Sequence, residues 1–125
     1  MRPINVVFAH HDPGAAECLR ASLSKQFRNL AVAKSGEEIR NAVARFRAPF
    51  AVVDLELINL EELSRLCSEF PSTAFVCIHH LADDRMWSDA LAAGAVDCCY
   101  ASDIRGILLA SDRYVVLARS TAAAA

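Results

Sequence analysis

All four histidines of the chain and two of its aspartates stand directly after short apolar runs. These residues are His10, His11, Asp12, Asp54, His79 and His80. Histidine is the commonest ligand of transition metals in proteins, and a carboxylate oxygen can complete such a site. Two adjacent pairs of histidines therefore indicate a metal site as one candidate function, provided that the fold brings the two pairs together.

Five short apolar runs of strand length recur along the chain, and three of them precede these polar residues. The runs are residues 4–9, 30–33, 50–53, 74–78 and 96–100. They are almost continuously apolar and do not alternate with polar residues, which is typical of strands buried on both faces of a parallel sheet. The sequence therefore predicts five parallel strands.

Helical periodicity separates the runs. Ala16, Leu19, Leu23 and Phe27 have the spacing of one helix face, and Asp12 before Pro13 supplies a start signal for that helix. Residues 35–38 read as a capping box, Gly94 as the end of a fourth helix, and residues 102–118 as a fifth. The alternation predicts an α/β, flavodoxin-like (βα)5 fold, a doubly wound five-stranded parallel sheet between two helical layers.

In such a sheet the functional groups gather at the carboxyl ends of the strands. The strand that ends in Asp54 should lie between the two strands that carry the histidine pairs. Because neighbouring strand residues point to opposite faces, we expect one histidine of each pair to face Asp54. One of His10 or His11, one of His79 or His80, and Asp54 would then bind Zn²⁺ or a similar ion. Without a metal, His10 or His11 should instead form an ion pair with Asp54.

Two segments carry a family resemblance. Residues 51–57, Ala-Val-Val-Asp-Leu-Glu-Leu, are similar to the receiver-domain strand that ends in the phosphoacceptor aspartate, and residues 92–97, Ala-Ala-Gly-Ala-Val-Asp, to the signature before its last strand. In order, spacing and length the chain resembles the receiver domain of bacterial two-component response regulators up to about residue 118. The resemblance implies that Asp54 is the candidate phosphoacceptor, whereas the residue by itself favours a structural carboxylate at the end of a strand.

Most other positions of the phosphorylation site depart from that family. His10 and His11 occupy the positions of its Mg²⁺-binding acids, His79 that of its hydroxyl residue, and Ala101 that of its lysine. Imidazoles are poor Mg²⁺ ligands, and alanine neutralises no charge. The departures favour a pseudo-receiver that acts through protein interaction, with phosphorylation at Asp54 weak or absent and no cofactor required. A working phosphoacceptor with atypical ligands and a metal-responsive domain are the alternatives.

The last helix carries a second apolar stripe away from the face expected to pack on the sheet. Its members and their neighbours are Arg105, Leu109, Asp112 and Val116. Such a stripe is either tolerated surface or an interface, and as an interface it predicts a homodimer through the last helix. Other partners would be signalling proteins or an attached effector domain.

Composition excludes several other classes. The net charge is −2 with interspersed signs, which disfavours nucleic-acid contact and membrane association. The five cysteines form no C-x-x-C spacing, which fits a reducing cytoplasm. No Gly-rich phosphate loop or nucleophile elbow is present, so an enzyme is not expected. Residues 1–118 are expected to form the domain, and residues 119–125 a linker stub.

Overall fold

Five strands and five helices alternate along the chain. The computed structural model describes the backbone of residues 2–124 and the side chains of residues 2–115. The strands are β1 (Arg2–Ala9), β2 (Phe27–Ala33), β3 (Phe50–Asp54), β4 (Ala74–His79) and β5 (Asp97–Tyr100). The helices are α1 (Pro13–Ser24), α2 (Gly36–Phe46), α3 (Leu60–Glu69), α4 (Asp84–Ala93) and α5 (Ile104–Ala124). The strands form one parallel sheet in the order β2-β1-β3-β4-β5, which confirms the predicted flavodoxin-like fold.

Each strand contributes side chains to both faces of the sheet. On one face, Val7 of β1 and Val53 of β3 pack in a cluster that includes residues of α2, α3 and α4. On the other face, Phe8 and Val52 pack in a cluster with residues of α1 and α5. All five residues of β3 are buried, including Asp54. The runs are thus almost continuously apolar because the strands are buried on both faces of the sheet, as predicted.

The prediction for Phe27 was wrong. Its spacing from Leu23 fits one helix face, but α1 ends at Ser24 and Phe27 begins β2, where it pairs with Arg2. Its ring is buried, and its centroid lies 6.1 Å from that of Phe50. β1 thus begins two residues earlier than predicted, and β2 three residues earlier.

The ends of the helices follow the predicted signals with two differences. Asp12 caps α1 by accepting the Gly14 N–H, and α4 ends at Gly94, whose φ of 116° favours glycine. Ser35 accepts the Glu38 N–H as expected, but the Glu38 carboxylate accepts the Lys34 N–H and so forms no reciprocal capping box. At α5, Asp103 accepts the Gly106 N–H, which places the start of that helix later than predicted.

Helix α5 is attached to the first strand by a paired contact at its midpoint. The Arg2 guanidinium donates to both carboxylate oxygens of Asp112, at 2.7 and 2.9 Å. Asp112, predicted as an interface residue, is therefore already engaged within the chain.

The backbone of α5 runs through residues 119–124, which were expected as linker, while the domain boundary at residue 118 stays a prediction. Within the part of the chain that the structure describes, no helix is long and apolar enough to span a membrane.

Candidate functional site at the carboxyl edge of the sheet

Asp54 lies at the centre of the carboxyl edge, as the last residue of the middle strand. Only 1% of its surface is exposed. Its neighbours in register are Ile78 of β4 and, one step earlier, Ala9 of β1 opposite Val53. The histidine pairs that follow these two strands consequently flank Asp54, as the strand order predicted.

Three donors satisfy the buried Asp54 carboxylate. The backbone N–H of His11 donates to Oδ2 at 2.8 Å, and the Nδ1–H of the same residue donates to Oδ2 at 2.5 Å. The backbone N–H of Glu56 donates to Oδ1 at 2.8 Å. The ion pair predicted between one of the paired histidines and Asp54 is therefore made by His11, whose side chain remains 43% exposed.

These contacts shift the ionisation of both partners. Burial by itself would raise the pKa of Asp54, but the hydrogen bonds from His11 and from the Glu56 N–H outweigh it and hold the pKa below the ordinary value. The hydrogen bond to Asp54 raises the pKa of His11, and the nearby charges of Asp54 and Glu56 act in the same direction. The pair therefore favours a carboxylate beside an imidazolium.

His10 has a different role although it lies in the same cluster. Its side chain is buried, and its Nδ1 accepts the backbone N–H of Asp12 at 3.0 Å. An imidazole that accepts through Nδ1 carries its proton on Nε2 and is neutral, so the 3.6 Å approach of Nδ1 to Asp54 is not an ion pair. The His10 ring stacks on that of His11, with centroids 4.9 Å apart. His10 thus supports the ring that carries the charge.

A second cluster lies beside the first and is centred on Glu56. His80 Nδ1 is 2.8 Å from Glu56 Oε1, and His79 Nε2 is 3.8 Å from the same oxygen. The other carboxylate oxygen of Glu56 lies 3.3 Å from His11 Nδ1. Sequence reasoning missed Glu56 as a site residue. Its signal was the two-residue offset from Asp54, because the Asp54 side chain accepts the Glu56 N–H and so folds residue 56 onto the same edge.

The structure divides the predicted metal ligands into two groups. His10, His11 and Asp54 form one, and Glu56, His79 and His80 form the other. The expectation that one histidine of each pair would turn away was wrong. His10 follows the last residue of β1 and His80 follows the last residue of β4, so strand alternation does not apply to them.

Two further predicted positions, Ala101 and Asp12, lie around this edge, and the charge of Asp12 helps to raise the pKa of His11. Ala101 is half-buried after β5, and its backbone N–H donates to the carbonyl of His79 at 3.2 Å. Asp12 is exposed and serves as the cap of α1. Among the described residues, His11 is the cationic group that contacts Asp54.

Solved structures of receiver domains share this architecture. The receiver domain of Francisella response regulator 1452 matches with a TM-score of 0.77 at 16% identity, over 94% of this chain and 98% of that one. The BeF3-activated N-terminal receiver domain of RstA from Klebsiella pneumoniae matches with a TM-score of 0.74 at 22% identity, over 88% of this chain and 96% of that one. This chain has the receiver fold.

The receiver fold also occurs within longer proteins. NtrX from Brucella abortus, solved in complex with ADP, matches with a TM-score of 0.83 at 14% identity, over 98% of this chain but 28% of that one. No protein-family model and no curated protein matches the sequence. The likeness to these receivers is therefore a likeness of fold.

The His11–Asp54 pair predicts a histidine with a raised pKa. His11 should remain protonated above about pH 6.5, the ordinary value for histidine, whereas in Asp54→Asn its pKa should fall back toward that value. NMR titration of the imidazole resonances in metal-free buffer measures both. Identical His11 titration in the two proteins would show that the pair does not form.

The shifted pKa values of His11 and Asp54 make the contribution of this pair to folding stability depend on pH. For His11, whose pKa is raised on folding, the contribution is fully present below about pH 6.5 and is lost as pH rises through the folded value. For Asp54, whose pKa is lowered, it is present above about pH 3.9 and is lost as pH falls through the folded value. Both contributions are therefore fully present together between about pH 3.9 and pH 6.5, and outside that range one of them declines.

Proposed function

We propose that this chain is a receiver-like regulatory domain of a bacterial two-component signalling protein that acts mainly through protein interaction. The observation that carries this proposal is that His11 is hydrogen-bonded to the Asp54 carboxylate and so occupies the position at which a phosphoryl group would be added. The carboxylate accepts three hydrogen bonds, two of them on Oδ2, and has an imidazolium in direct contact. The domain is proposed to be cytoplasmic and to have no enzymatic activity of its own.

Phosphorylation of Asp54 would have to displace this arrangement. Phosphoryl transfer to a carboxylate concentrates negative charge, which a divalent cation and a fixed positive side chain normally neutralise. His11 carries a single charge and already uses it on Asp54, while Ala101 supplies none. Because loss of one stabilising group at such a centre costs about 10²–10³ in rate, we expect modification to be slow or absent.

The residues around Asp54 are also unsuited to Mg²⁺. This ion prefers an octahedral shell of oxygen ligands, but the side chains next to Asp54 present imidazole nitrogens. His10 Nδ1 is committed to the Asp12 N–H, and His11 Nδ1 donates its proton to Asp54. The proposed domain therefore does not depend on a Mg²⁺ cofactor, and its conformation would be set by the proteins that it contacts.

Helix α5 offers one surface for such contacts. Leu109 is 65% exposed, and Arg105 one turn earlier is also exposed. The side chain of Val116, predicted to extend this stripe, lies outside the described residues. We propose that this stripe supports a homodimer or docks on a signalling partner. The placement of the fold within the longer NtrX chain supports attachment to an effector domain as well.

The proposal predicts weak reaction with small phosphodonors. Incubation with acetyl phosphate and Mg²⁺ should leave most of the protein unmodified, as measured by intact mass. The variant His10→Asp/His11→Asp/Ala101→Lys, which restores oxygen ligands and a lysine, should react faster, and adding Asp54→Asn to it should abolish the gain. Stoichiometric phosphorylation of the unmodified chain, lost in Asp54→Asn, would contradict the proposal and favour a working phosphoacceptor.

The exposed stripe predicts association through α5. If Leu109 lies in a homodimer interface, the chain should dimerise without phosphorylation, and Leu109→Lys should give a folded monomer in sedimentation velocity. Leu60→Lys, which charges an exposed apolar residue at the start of α3, is the matched control and should remain dimeric. Equal sedimentation of Leu109→Lys and the unmodified protein would remove the homodimer and leave α5 as a docking surface only.

A further inference from the structure

The second cluster at the carboxyl edge has the composition of a transition-metal site. Glu56, His79 and His80 each offer one ligand atom, and these atoms lie within 4.8 Å of one another. The two nitrogens are 2.8 and 3.8 Å from Glu56 Oε1. Ligand atoms bound tetrahedrally to Zn²⁺ at about 2.0 Å are about 3.3 Å apart, so small side-chain movements would bring all three to one ion.

Exposure separates this cluster from the one around Asp54. The side chains of His79, Glu56 and His80 are 12%, 28% and 58% exposed, so an ion can enter from solvent. Asp54 is buried, and the Nδ1 atoms of its two histidine neighbours are already used in hydrogen bonds. The Glu56 cluster is consequently the better candidate of the two, because its exposed side chains can move to bind an ion.

The contacts of His79 link this site to the loop before α4. The Leu81 backbone N–H donates to His79 Nδ1 at 2.9 Å, so the neutral ring carries its proton on Nε2. Nε2 is the atom that faces Glu56. A metal ion bound to Nε2 requires the proton to move to Nδ1, where it displaces the Leu81 N–H from its acceptor. His80 likewise transfers its Nδ1 proton to Nε2 or to solvent before Nδ1 can bind.

We propose that Glu56, His79 and His80 bind a divalent transition-metal ion such as Zn²⁺, and that binding releases the Leu81 N–H from His79. The ligand set is two imidazoles and one carboxylate, which suits Zn²⁺ and not Mg²⁺. Three protein ligands leave a position open to water or to a side chain of a partner. Leu81 is 59% exposed, so the released loop carries an apolar side chain into solvent. This inference does not rest on the proposed function.

Calorimetric titration with Zn²⁺ of the full chain tests the site. The background is Cys18→Ser, because Cys18 is the exposed cysteine of the described residues and would bind Zn²⁺ adventitiously. We expect one equivalent to bind, and we expect His80→Ala and Glu56→Gln each to lower the affinity by at least ~10-fold, since even the loss of a supporting group costs about that much. His10→Asn, which removes a histidine of the other cluster and keeps an acceptor for the Asp12 N–H, should retain binding.

The Leu81 amide gives a second readout in the same background. Its ¹⁵N–¹H resonance should shift on addition of Zn²⁺, whereas in His80→Ala it should not move at the same metal concentration. Absence of binding to the background protein, binding that survives both His80→Ala and Glu56→Gln, or binding lost in a folded His10→Asn variant would overturn the proposed site. Binding with an unmoved Leu81 amide would overturn its coupling to the loop.

Discussion

A buried carboxylate at the end of the central strand is the constraint on which the functional edge depends. Removing a charge from water is costly unless donors and an opposite charge replace the lost hydration. Asp54, 1% exposed, receives both from residues close to it, because His11 supplies a backbone N–H and an imidazolium and Glu56 supplies a second backbone N–H. The Glu56 N–H that satisfies Asp54 also holds the Glu56 side chain beside the second histidine pair.

This arrangement explains how the sheet can bury an aspartate at the end of its central strand. The sheet needs Asp54 to be neutralised in order to bury it, and one imidazolium is sufficient for a single carboxylate. A phosphorylated aspartate carries more negative charge and three acceptor oxygens, so it requires more positive charge than His11 provides. The contact with His11 therefore stabilises the unmodified, ionised form of Asp54.

Much of the fold could be predicted because the signals in the sequence were local. The apolar residues of β3 and β4 marked two buried strands, and Asp12-Pro13 marked the start of α1. Phe27 was misassigned because one apolar residue fits a helical spacing and a strand start equally well, and only pairing with Arg2 decides between them. Strand order also correctly placed both histidine pairs beside Asp54.

The details of the site could not be predicted because they depend on where the strands end. The prediction assumed that side chains alternate between the two faces at His10 and His80. Both residues lie one position beyond the end of their strands, where this alternation no longer holds. Glu56 was overlooked because its two-residue offset from Asp54 places it on the edge only when the Asp54 side chain accepts the Glu56 N–H. The roles of His10 and His79 depend on which ring nitrogen accepts a backbone N–H, and this follows only from coordinates.

If His11 occupies Asp54 in place of a metal ion and a phosphoryl group, a phosphoryl analogue should not bind there. Beryllium fluoride, with which the RstA receiver domain was activated, tests this without any chemical step when it is added together with Mg²⁺. The measurement is a ¹⁵N–¹H NMR titration that follows the amides of His11 and Glu56, both of which donate to Asp54. We expect the resonances of these two amides to keep their positions. Saturable shifts of both resonances, absent in Asp54→Asn, would show that Asp54 accepts a phosphoryl analogue and would contradict its occupation by His11.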